Sequence, residues 1–211
     1  MKKKIYEEIV THYESCLEKF GDSHLGVDWP KLEDAERRYL VMLDVIKFSQ
    51  NNDNNNSLLD FGCGTAMLLD FINKNNYQNI NYSGIDISSK FVDVCQSKFP
   101  TYSFYCEDLM ENSSNLPNFD YIVMNGVFTE KRSLTFSEMF TYFEELLLLV
   151  FEKANKGISF NVMSKAVDWE REDLFHLPAD LLIDLLTKKL SRNFILRNDY
   201  GLYEYTVYVY K

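Results

Sequence analysis

The spacing of apolar residues predicts two amphipathic helices at the start of the chain. Apolar positions in residues 5–20 recur three or four residues apart, which places them on one face of a helix. Residues 32–48 repeat that spacing after Pro30, a residue tolerated in the first turn of a helix. The asparagine-rich stretch 50–57 is too polar to be buried and is predicted to be a loop.

Strands and helices alternate along the rest of the chain. This alternation predicts an α/β fold with a parallel sheet that is covered on both faces. A turn at residues 198–201 joins the last two β-rich runs and favours a hairpin, so the last strand is predicted to be antiparallel. The predicted strands are 57–61, 81–87, 102–106, 119–124, 157–162, 193–197 and 203–210, and the predicted helices are 66–74, 89–98, 137–153 and 178–190.

Composition fits one globular domain. Of the 211 residues 46% are hydrophobic and 26% are charged, so a substantial core is expected. The net charge of −10 disfavours nucleic acid as a partner, because an acidic surface repels phosphates. No apolar run approaches the ~20 residues of a membrane span, and the start of the chain lacks the apolar segment of a signal peptide. We therefore expect no membrane partner.

The four cysteines are scattered without the spacing of a metal site. We expect them to be reduced thiols in a cytoplasmic protein, and we expect no metal ion. The oligomeric state is left open.

A glycine-bearing turn lies between the first core strand and the helix that follows it. Gly62 and Gly64 remove side-chain bulk, so that a ligand can approach the main chain. The N–H groups at such a helix start favour a carboxylate or a phosphate. Met67 stands where a dinucleotide fingerprint needs its third glycine, which disfavours a nicotinamide oxidoreductase. A plain turn in an α/β protein is the alternative.

An acidic residue, Asp86, ends the second core strand about 20 residues beyond the glycine turn. A right-handed crossover would place the two strands side by side, with their carboxyl ends together. An acid there can accept hydrogen bonds from both hydroxyls of a ribose, each worth roughly 1.5–3 kcal/mol. The alternative is a helix N-cap, since Ser88 and Ser89 follow.

The run Leu-Asp-Phe-Gly-Cys-Gly-Thr at 59–65 resembles motif I of the class I S-adenosylmethionine (SAM) methyltransferases. The resemblance implies a Rossmann-like, mostly parallel sheet of seven strands. It implies SAM as cofactor and S-adenosylhomocysteine (SAH) as product. It also divides the chain into a helical lid at 1–49, packed on the core and not independent of it, the loop 50–57 and a SAM-binding core at 58–211.

The same resemblance implies a set of cofactor-binding residues. Strand ends would supply contacts to the amino-acid part, the ribose, the adenine and the methyl group, and the lid would add two tyrosines and an arginine that pairs with the SAM carboxylate. These residues are Gly62, Cys63, Gly64, Asp86, Ile87, Asp108, Leu109 and Asn125 from the core, and Tyr6, Tyr13 and Arg38 from the lid.

Other stretches resemble a narrower group, small bacterial SAM methyltransferases of capsule and O-antigen polysaccharide pathways. The group includes enzymes thought to methylate a phosphoramidate. The resemblance implies O-methylation of a small anionic or carbohydrate-linked acceptor, with the phosphoramidate of a capsular polysaccharide precursor as the candidate. A sugar hydroxyl, an amino-sugar nitrogen and a non-catalytic SAM-binding accessory protein remain alternatives. The stretches are 21–23, 26–29, 125–132, 160–164 and 167–176.

The catalytic candidates depend on the acceptor. An anionic oxygen needs no base but needs cations, and Lys131 and Arg132 follow the fourth core strand. Their alternative role is that of solvated loop charges or partners of nearby acids. A neutral hydroxyl would need a base, which contributes about 10²–10⁴-fold to the rate. His12 on the first helix is the chosen base, with His176 and Glu130 as further candidates, although a hydrogen-bonded structural histidine remains the alternative.

Overall fold

The computed structural model describes residues 6–49, 55–112 and 115–211. Residues 50–54 of the predicted asparagine-rich loop lie outside the described residues, and Asn56 and Ser57 already belong to the first strand. The described helices are α1 Glu7–Phe20, α2 Leu32–Lys47, α3 Met67–Lys74, α4 Ser89–Lys98, α5 Phe136–Lys153 and α6 Ala179–Leu185, followed by a π-helical segment Leu186–Leu190.

The described strands form one sheet around which the helices pack. Their order across the sheet is β3-β2-β1-β4-β5-β8-β7, with the two-residue β6 attached beside β5. The strands are β1 Asn56–Phe61, β2 Ile80–Asp86, β3 Ser103–Cys106, β4 Phe119–Met124, β5 Ala154–Ser164, β6 His176–Leu177, β7 Phe194–Arg197 and β8 Glu204–Tyr210.

The strand directions confirm the predicted mostly parallel sheet with an antiparallel last strand. The strands β1 to β5 pair in parallel, and β8 runs antiparallel to both β5 and β7. The seven strands along the main path correspond to the seven predicted from the sequence. The short β6 adds an eighth, which the sequence pattern did not indicate because only two residues pair.

The two N-terminal helices occupy different places. The helix α2 packs on the sheet, where Met42 and Val45 are fully buried and Tyr210 donates to the carbonyl of Val45 at 3.0 Å. The helix α1 instead contacts α4 near the edge of the sheet. Of these two helices, α1 is therefore the better candidate for a helix that covers the strand ends.

Two element boundaries differ from the prediction for local reasons. The helix α5 was predicted to begin at Ser137, but it begins at Phe136. Thr135 and Glu138 form a capping box, which satisfies the exposed N–H groups of the first turn and moves the helix start one residue earlier. The predicted helix 178–190 is α-helical only to Leu185 and becomes π-helical beyond it. No described helix is both long and apolar enough to span a bilayer.

The sheet brings the carboxyl ends of four strands to one edge. Phe61 at the end of β1 lies in register with Ile85 near the end of β2, and Asp86 in register with Cys106 at the end of β3. On the other side of β1, Asp60 lies opposite Val123 near the end of β4. In open α/β sheets such an edge is where ligands bind.

Candidate active site

The loop after β1 is tied to the end of β2 by its own backbone. The N–H groups of Gly62 and Cys63 donate to the carbonyl of Ile85 at 2.8 and 3.0 Å, and the N–H of Gly64 donates to Asp86 Oδ2 at 3.0 Å. These three amides therefore hold the site together and are not free for an anion. A ligand can approach the main chain of the loop at Gly62 and Gly64, which have no side chain.

Both loop glycines are required by geometry. Gly62 and Gly64 have φ angles of 72° and 53°, in the left-handed region that side chains disfavour. A Cβ atom at Gly62 would lie 2.9 Å from Val127 Cγ2, and one at Gly64 would lie 2.8 Å from Val27 Cγ1. The loop is therefore in direct contact with the turn after β4 and with the loop that follows α1.

Two acids at the strand ends are buried, and no cation of the described residues contributes to their pKa shifts. Burial raises the pKa of Asp86 to about 6, although the N–H groups of Ser88 and Gly64 oppose the rise. Burial also raises the pKa of Asp60 to about 7, against a hydrogen bond from the Tyr82 hydroxyl at 2.8 Å. Each carboxylate therefore gains from a ligand that brings hydrogen-bond donors.

A cavity lies beside these acids, between the strand ends and α1. Of the 11 predicted cofactor-binding residues, all but Arg38 line it. They come from segments more than 100 residues apart, so the fold brings the predicted set to one place. The lining members of the set are Tyr6, Tyr13, Gly62, Cys63, Gly64, Asp86, Ile87, Asp108, Leu109 and Asn125.

Two buried acceptors on this cavity lack a hydrogen-bond partner among the described residues. They are Glu107 Oε2 and Asn125 Oδ1. A buried acceptor left unpaired costs about 1–3 kcal/mol, so the pair indicates a ligand with donors. The ammonium group, the ribose hydroxyls and the adenine amino group of SAM are such donors. The residues present therefore fit SAM.

The helix α1 covers the cavity along its length. At one end the Tyr6 hydroxyl donates to Asp108 Oδ2, and at the other the Tyr13 hydroxyl donates to the Gly126 carbonyl at 3.4 Å. Seven residues of helix span about 10 Å between these two contacts. Burial raises the pKa of Tyr6 and Tyr13 well above the usual tyrosine value. Both hydroxyls therefore remain protonated donors.

The predicted role of Arg38 does not match its position. Its guanidinium Nε lies 2.9 Å from both carboxylate oxygens of Glu204, and its Nη2 lies 2.8 Å from Oε2. One face of the guanidinium also stacks on Trp29, 4.2 Å from the ring centroid. Arg38 does not line the cavity, because Glu204 on β8 holds it. The sequence could not foresee this buried partner, 166 residues away.

The predicted cations after β4 lie outside the cavity, and acids or carbonyls face them. Lys131 Nζ donates to the Leu134 carbonyl at 3.0 Å. Arg132 Nη1 lies 3.2 Å from Glu130 Oε2 and 3.5 Å from Asp173 Oδ2. Two further cations of the loops after β4 and β5 are paired as well, Lys165 with Glu170 and Arg171 with Asp173. Neither Lys131 nor Arg132 lines the cavity.

His12 also lies outside the cavity, next to the lining residue Tyr13. Its Nε2 is 2.8 Å from Asp28 Oδ2, and its ring meets the Tyr13 ring edge-on, with 5.4 Å between the centroids. The charges of Glu130 and Arg132 also act in this region, on the thiol of Cys16. Burial raises the pKa of Cys16 most, Glu130 raises it further, and Arg132 lowers it. We call His12, Asp28, Glu130, Arg132 and Asp173 the rim cluster.

Two members of the rim cluster, together with the neighbouring Cys16, form a group that could hold a metal ion. One ligand atom each from His12, Cys16 and Asp28 lies within 4.8 Å of the others. The hydrogen bond between His12 and Asp28 already accounts for two of these atoms, and the charge of Arg132 opposes a cation. We assign no metal to this group.

The two other candidate bases have structural contacts. His176 is buried, with Nδ1 2.7 Å from the Ser164 carbonyl, while its Nε2 accepts from the Arg171 N–H at 3.4 Å. Glu130 is buried as well and receives the guanidinium of Arg132. Burial raises the pKa of Glu130 in spite of that arginine. His12 is therefore the candidate with the more accessible ring.

Sequence reasoning missed several lining residues. Asp60 was noted only as part of the glycine motif, although an acid that ends an otherwise apolar strand is a usable signal. Glu107 precedes the predicted Asp108 and was not given a role. Tyr39 and Tyr142 come from α2 and α5, where their spacing only indicates burial, so no sequence signal could have placed them on the cavity.

Comparison with known proteins agrees with this site. Residues 59–143 match a family model described as a methyltransferase domain, and this range includes the glycine loop, Asp86, Asp108 and Asn125. A curated relative from Mycobacterium tuberculosis strain H37Rv, the protein Rv1506c, is provisionally named a methyltransferase. It is 29% identical over 160 residues, which cover 74% of this chain and 93% of the relative.

Solved structures share the fold over the whole chain. The magnesium protoporphyrin IX methyltransferase ChlM from Synechocystis PCC 6803 with bound SAM has a TM-score of 0.63 at 14% identity, covering 100% of this chain and 99% of the other. The plantazolicin methyltransferase BamL, in complex with a substrate analogue and SAH, has a TM-score of 0.63 at 14% identity, with 99% of each chain covered. At such identities the likeness shows the fold.

The fold is therefore the Rossmann-like α/β fold of the class I methyltransferases, as the sequence predicted. Together with the matched domain and the curated relative, it makes this chain a SAM-dependent methyltransferase, with SAM as its cofactor and SAH as its product.

Proposed function

We propose that this enzyme methylates an oxygen atom of a small, carbohydrate-linked or anionic acceptor. The observation that carries the proposal is the cover over the cavity. The helix α1 and the loop with Val27 and Trp29 lie across the strand ends, so the cavity is bounded above as well as below. A small second molecule fits this space better than a macromolecule.

SAM, when bound, supplies a methyl group on a sulfonium that is already a strong electrophile. The protein then has to bind, align and exclude water. Asp86 and the glycine loop hold one part of the cavity, and Tyr13 with the Asn125–Val127 turn encloses another. Alignment of this kind can supply about 7–11 kcal/mol of the barrier.

A neutral hydroxyl acceptor suits the rim cluster best. Its cation Arg132 is already paired with Glu130 and Asp173 and is therefore not available to an anion. A base for the hydroxyl proton is present in His12, since Asp28 accepts from one ring nitrogen and leaves the other available. A histidine oriented by a carboxylate is a common arrangement for proton transfer.

The second candidate acceptor is anionic, with the phosphoramidate of a capsular polysaccharide precursor as the named example. It is supported by the narrower sequence resemblance and by the presence of Lys131 and Arg132 in the loop after β4. Ligand binding would have to draw Arg132 away from Glu130 and Asp173. The solved structures that share the fold are named a magnesium protoporphyrin IX methyltransferase and a plantazolicin methyltransferase, so likeness of fold does not select the acceptor.

The test is methyl transfer from labelled SAM to a panel of acceptors, read by mass spectrometry. The panel holds phosphoramidate and phosphate esters, neutral sugars and amino sugars. We expect turnover on neutral sugar hydroxyls, lost at least tenfold in His12→Gln and kept in Ser15→Ala, an exposed control on the same helix. Turnover on the anionic members, unaffected by His12→Gln, would instead support the second candidate. Methylation of amino sugars alone would contradict both.

A further inference from the structure

The turn after β4 is held in place through its second residue, Gly126. The N–H of Gly126 donates to Asn161 Oδ1 at 2.8 Å. Its carbonyl accepts from Thr129 Oγ1 at 2.9 Å and from the Tyr13 hydroxyl at 3.4 Å. Its φ of 83° and the Trp29 ring, 2.8 Å from where a Cβ would lie, leave no room for a side chain. The residue before it, Asn125, presents its unpaired Oδ1 on the cavity.

The Asn161 contact is the end of a buried polar chain. Asn161 Nδ2 donates to Glu204 Oε1 at 3.1 Å, and Glu204 receives the guanidinium of Arg38 through both oxygens. Asn161 and Glu204 are almost completely buried, and the Arg38 side chain is 12% exposed. Arginine can only donate and a carboxylate can only accept, so the Asn161 amide has one possible orientation. Its oxygen must face the N–H of Gly126.

Arg38 reaches the same turn by a second route. Its guanidinium stacks on one face of Trp29, and the Trp29 ring in turn rests on Gly126. The turn is thus held from its N–H side by Asn161 and from its α-carbon side by Trp29. Arg38 stacks on Trp29 directly and is linked to Asn161 through Glu204.

A buried ion pair loses the hydration of both charges, so an apolar pair of the same volume is often as stable or more stable. The presence of the ion pair therefore favours a role in fixing one geometry. We propose that Arg38, Glu204 and Asn161 are positioning residues that fix the Asn125–Val127 turn and Trp29 against the cofactor. Arg38 thereby acts on the cofactor site without touching it.

The test uses SAH as the only ligand, so a wrong acceptor assignment leaves it unaffected. Trp169→Phe leaves Trp29 as the single tryptophan of the chain, and its emission then reports on this wall of the cavity. In that background Asn161→Leu removes the contact to Gly126 and leaves the Arg38–Glu204 pair intact. Arg38→Lys keeps the positive charge and loses the flat face on Trp29. Arg37→Met, at the exposed neighbouring arginine, is the matched control.

We expect the SAH dissociation constant to rise about tenfold in Asn161→Leu and about threefold in Arg38→Lys, and to stay unchanged in Arg37→Met. The SAH-induced change in Trp29 emission should shrink in the same order. A folded Asn161→Leu protein with wild-type affinity and emission response would overturn the proposal, even if its melting temperature fell. If Asn161→Leu does not fold, unchanged affinity in Arg38→Lys has the same meaning.

Discussion

The cofactor side of the cavity and the rim cluster both contain acidic side chains, but these are held in place in different ways. On the cofactor side, Asp86 is held by backbone N–H groups of Gly64 and Ser88, all within 25 residues of chain. In the rim cluster the partners are side chains, and Arg132 bridges from the loop after β4 to Asp173 near β6. Backbone geometry follows from local sequence, whereas side-chain pairing depends on the whole fold.

The two regions also differ in the groups that surround their acids. Burial raises the pKa values of Asp60 and Asp86, whose described hydrogen-bond donors are uncharged. Near the rim, the guanidinium of Arg171 lowers the pKa of Asp173. The acids of the cofactor side are therefore held by neutral donors, whereas most charges of the rim are paired with an opposite charge. Substitutions should lower SAH affinity far more on the first side than on the second.

The largest effect is expected for Asp86→Ala. The carboxylate would accept two charge-assisted hydrogen bonds from ribose hydroxyls, each worth roughly 1.5–3 kcal/mol, so SAH affinity should fall about 100-fold or more. Titration calorimetry measures it. Asp93→Ala removes an exposed acid of α4 and should bind like the wild type. Equal affinities for the two variants would remove Asp86 from the ribose role.

The next effect concerns stability and its dependence on pH. The folded pKa of Asp60, about 7, lies above its unfolded value near 4, so folding favours the protonated form. The stability that this group contributes is therefore complete below about pH 4 and is lost as the pH rises through 7. Asp60→Asn avoids the buried charge and should be more stable than the wild type by on the order of 2–4 kcal/mol at pH 8.

Chemical denaturation at pH 8 and at pH 4 provides the measurement for Asp60→Asn. The difference from the wild type should disappear at pH 4, where the wild-type carboxyl is neutral. Asp93→Asn, an exposed change of the same kind, should show no such dependence. A difference that is the same at both pH values would mean that burial of the Asp60 charge is not its cause.

A smaller effect is expected at the glycine loop. Gly64→Ala forces a side chain into the left-handed region, at a cost of about 1–2 kcal/mol, and brings its Cβ against Val27. SAH affinity should fall about tenfold. Adding Val27→Ala should restore the part due to overlap but not the part due to the backbone. Full recovery in the double variant, or none, would show that only one of these causes operates.

Local sequence was enough for the fold and for most of the cofactor side. The glycine loop and Asp86 each depend on a strand end and a turn, so their positions follow once β1 and β2 are recognised. Arg38 is the instructive failure, because its partner Glu204 lies on the last strand. The paired state of Lys131 and Arg132 was open for the same reason. A single chain does not reveal which acid will meet which base.

The smallest effects are expected in the rim cluster. At Arg132 the contributions of the backbone conformation and of the charge to stability can be measured separately. Arg132 adopts a φ of 52° and is partly exposed, so its ion pairs should contribute no more than about 1 kcal/mol. Arg132→Ala and Arg132→Gly both remove the charge, but only glycine relieves the backbone, by roughly 1 kcal/mol. Denaturant unfolding should therefore rank the glycine variant above the alanine variant, while SAH affinity stays within twofold in both and in Lys131→Ala. The acceptor KM should rise in these variants only if the acceptor is anionic. A large loss of SAH affinity would place the rim cluster in the cofactor site and end the contrast between the two regions.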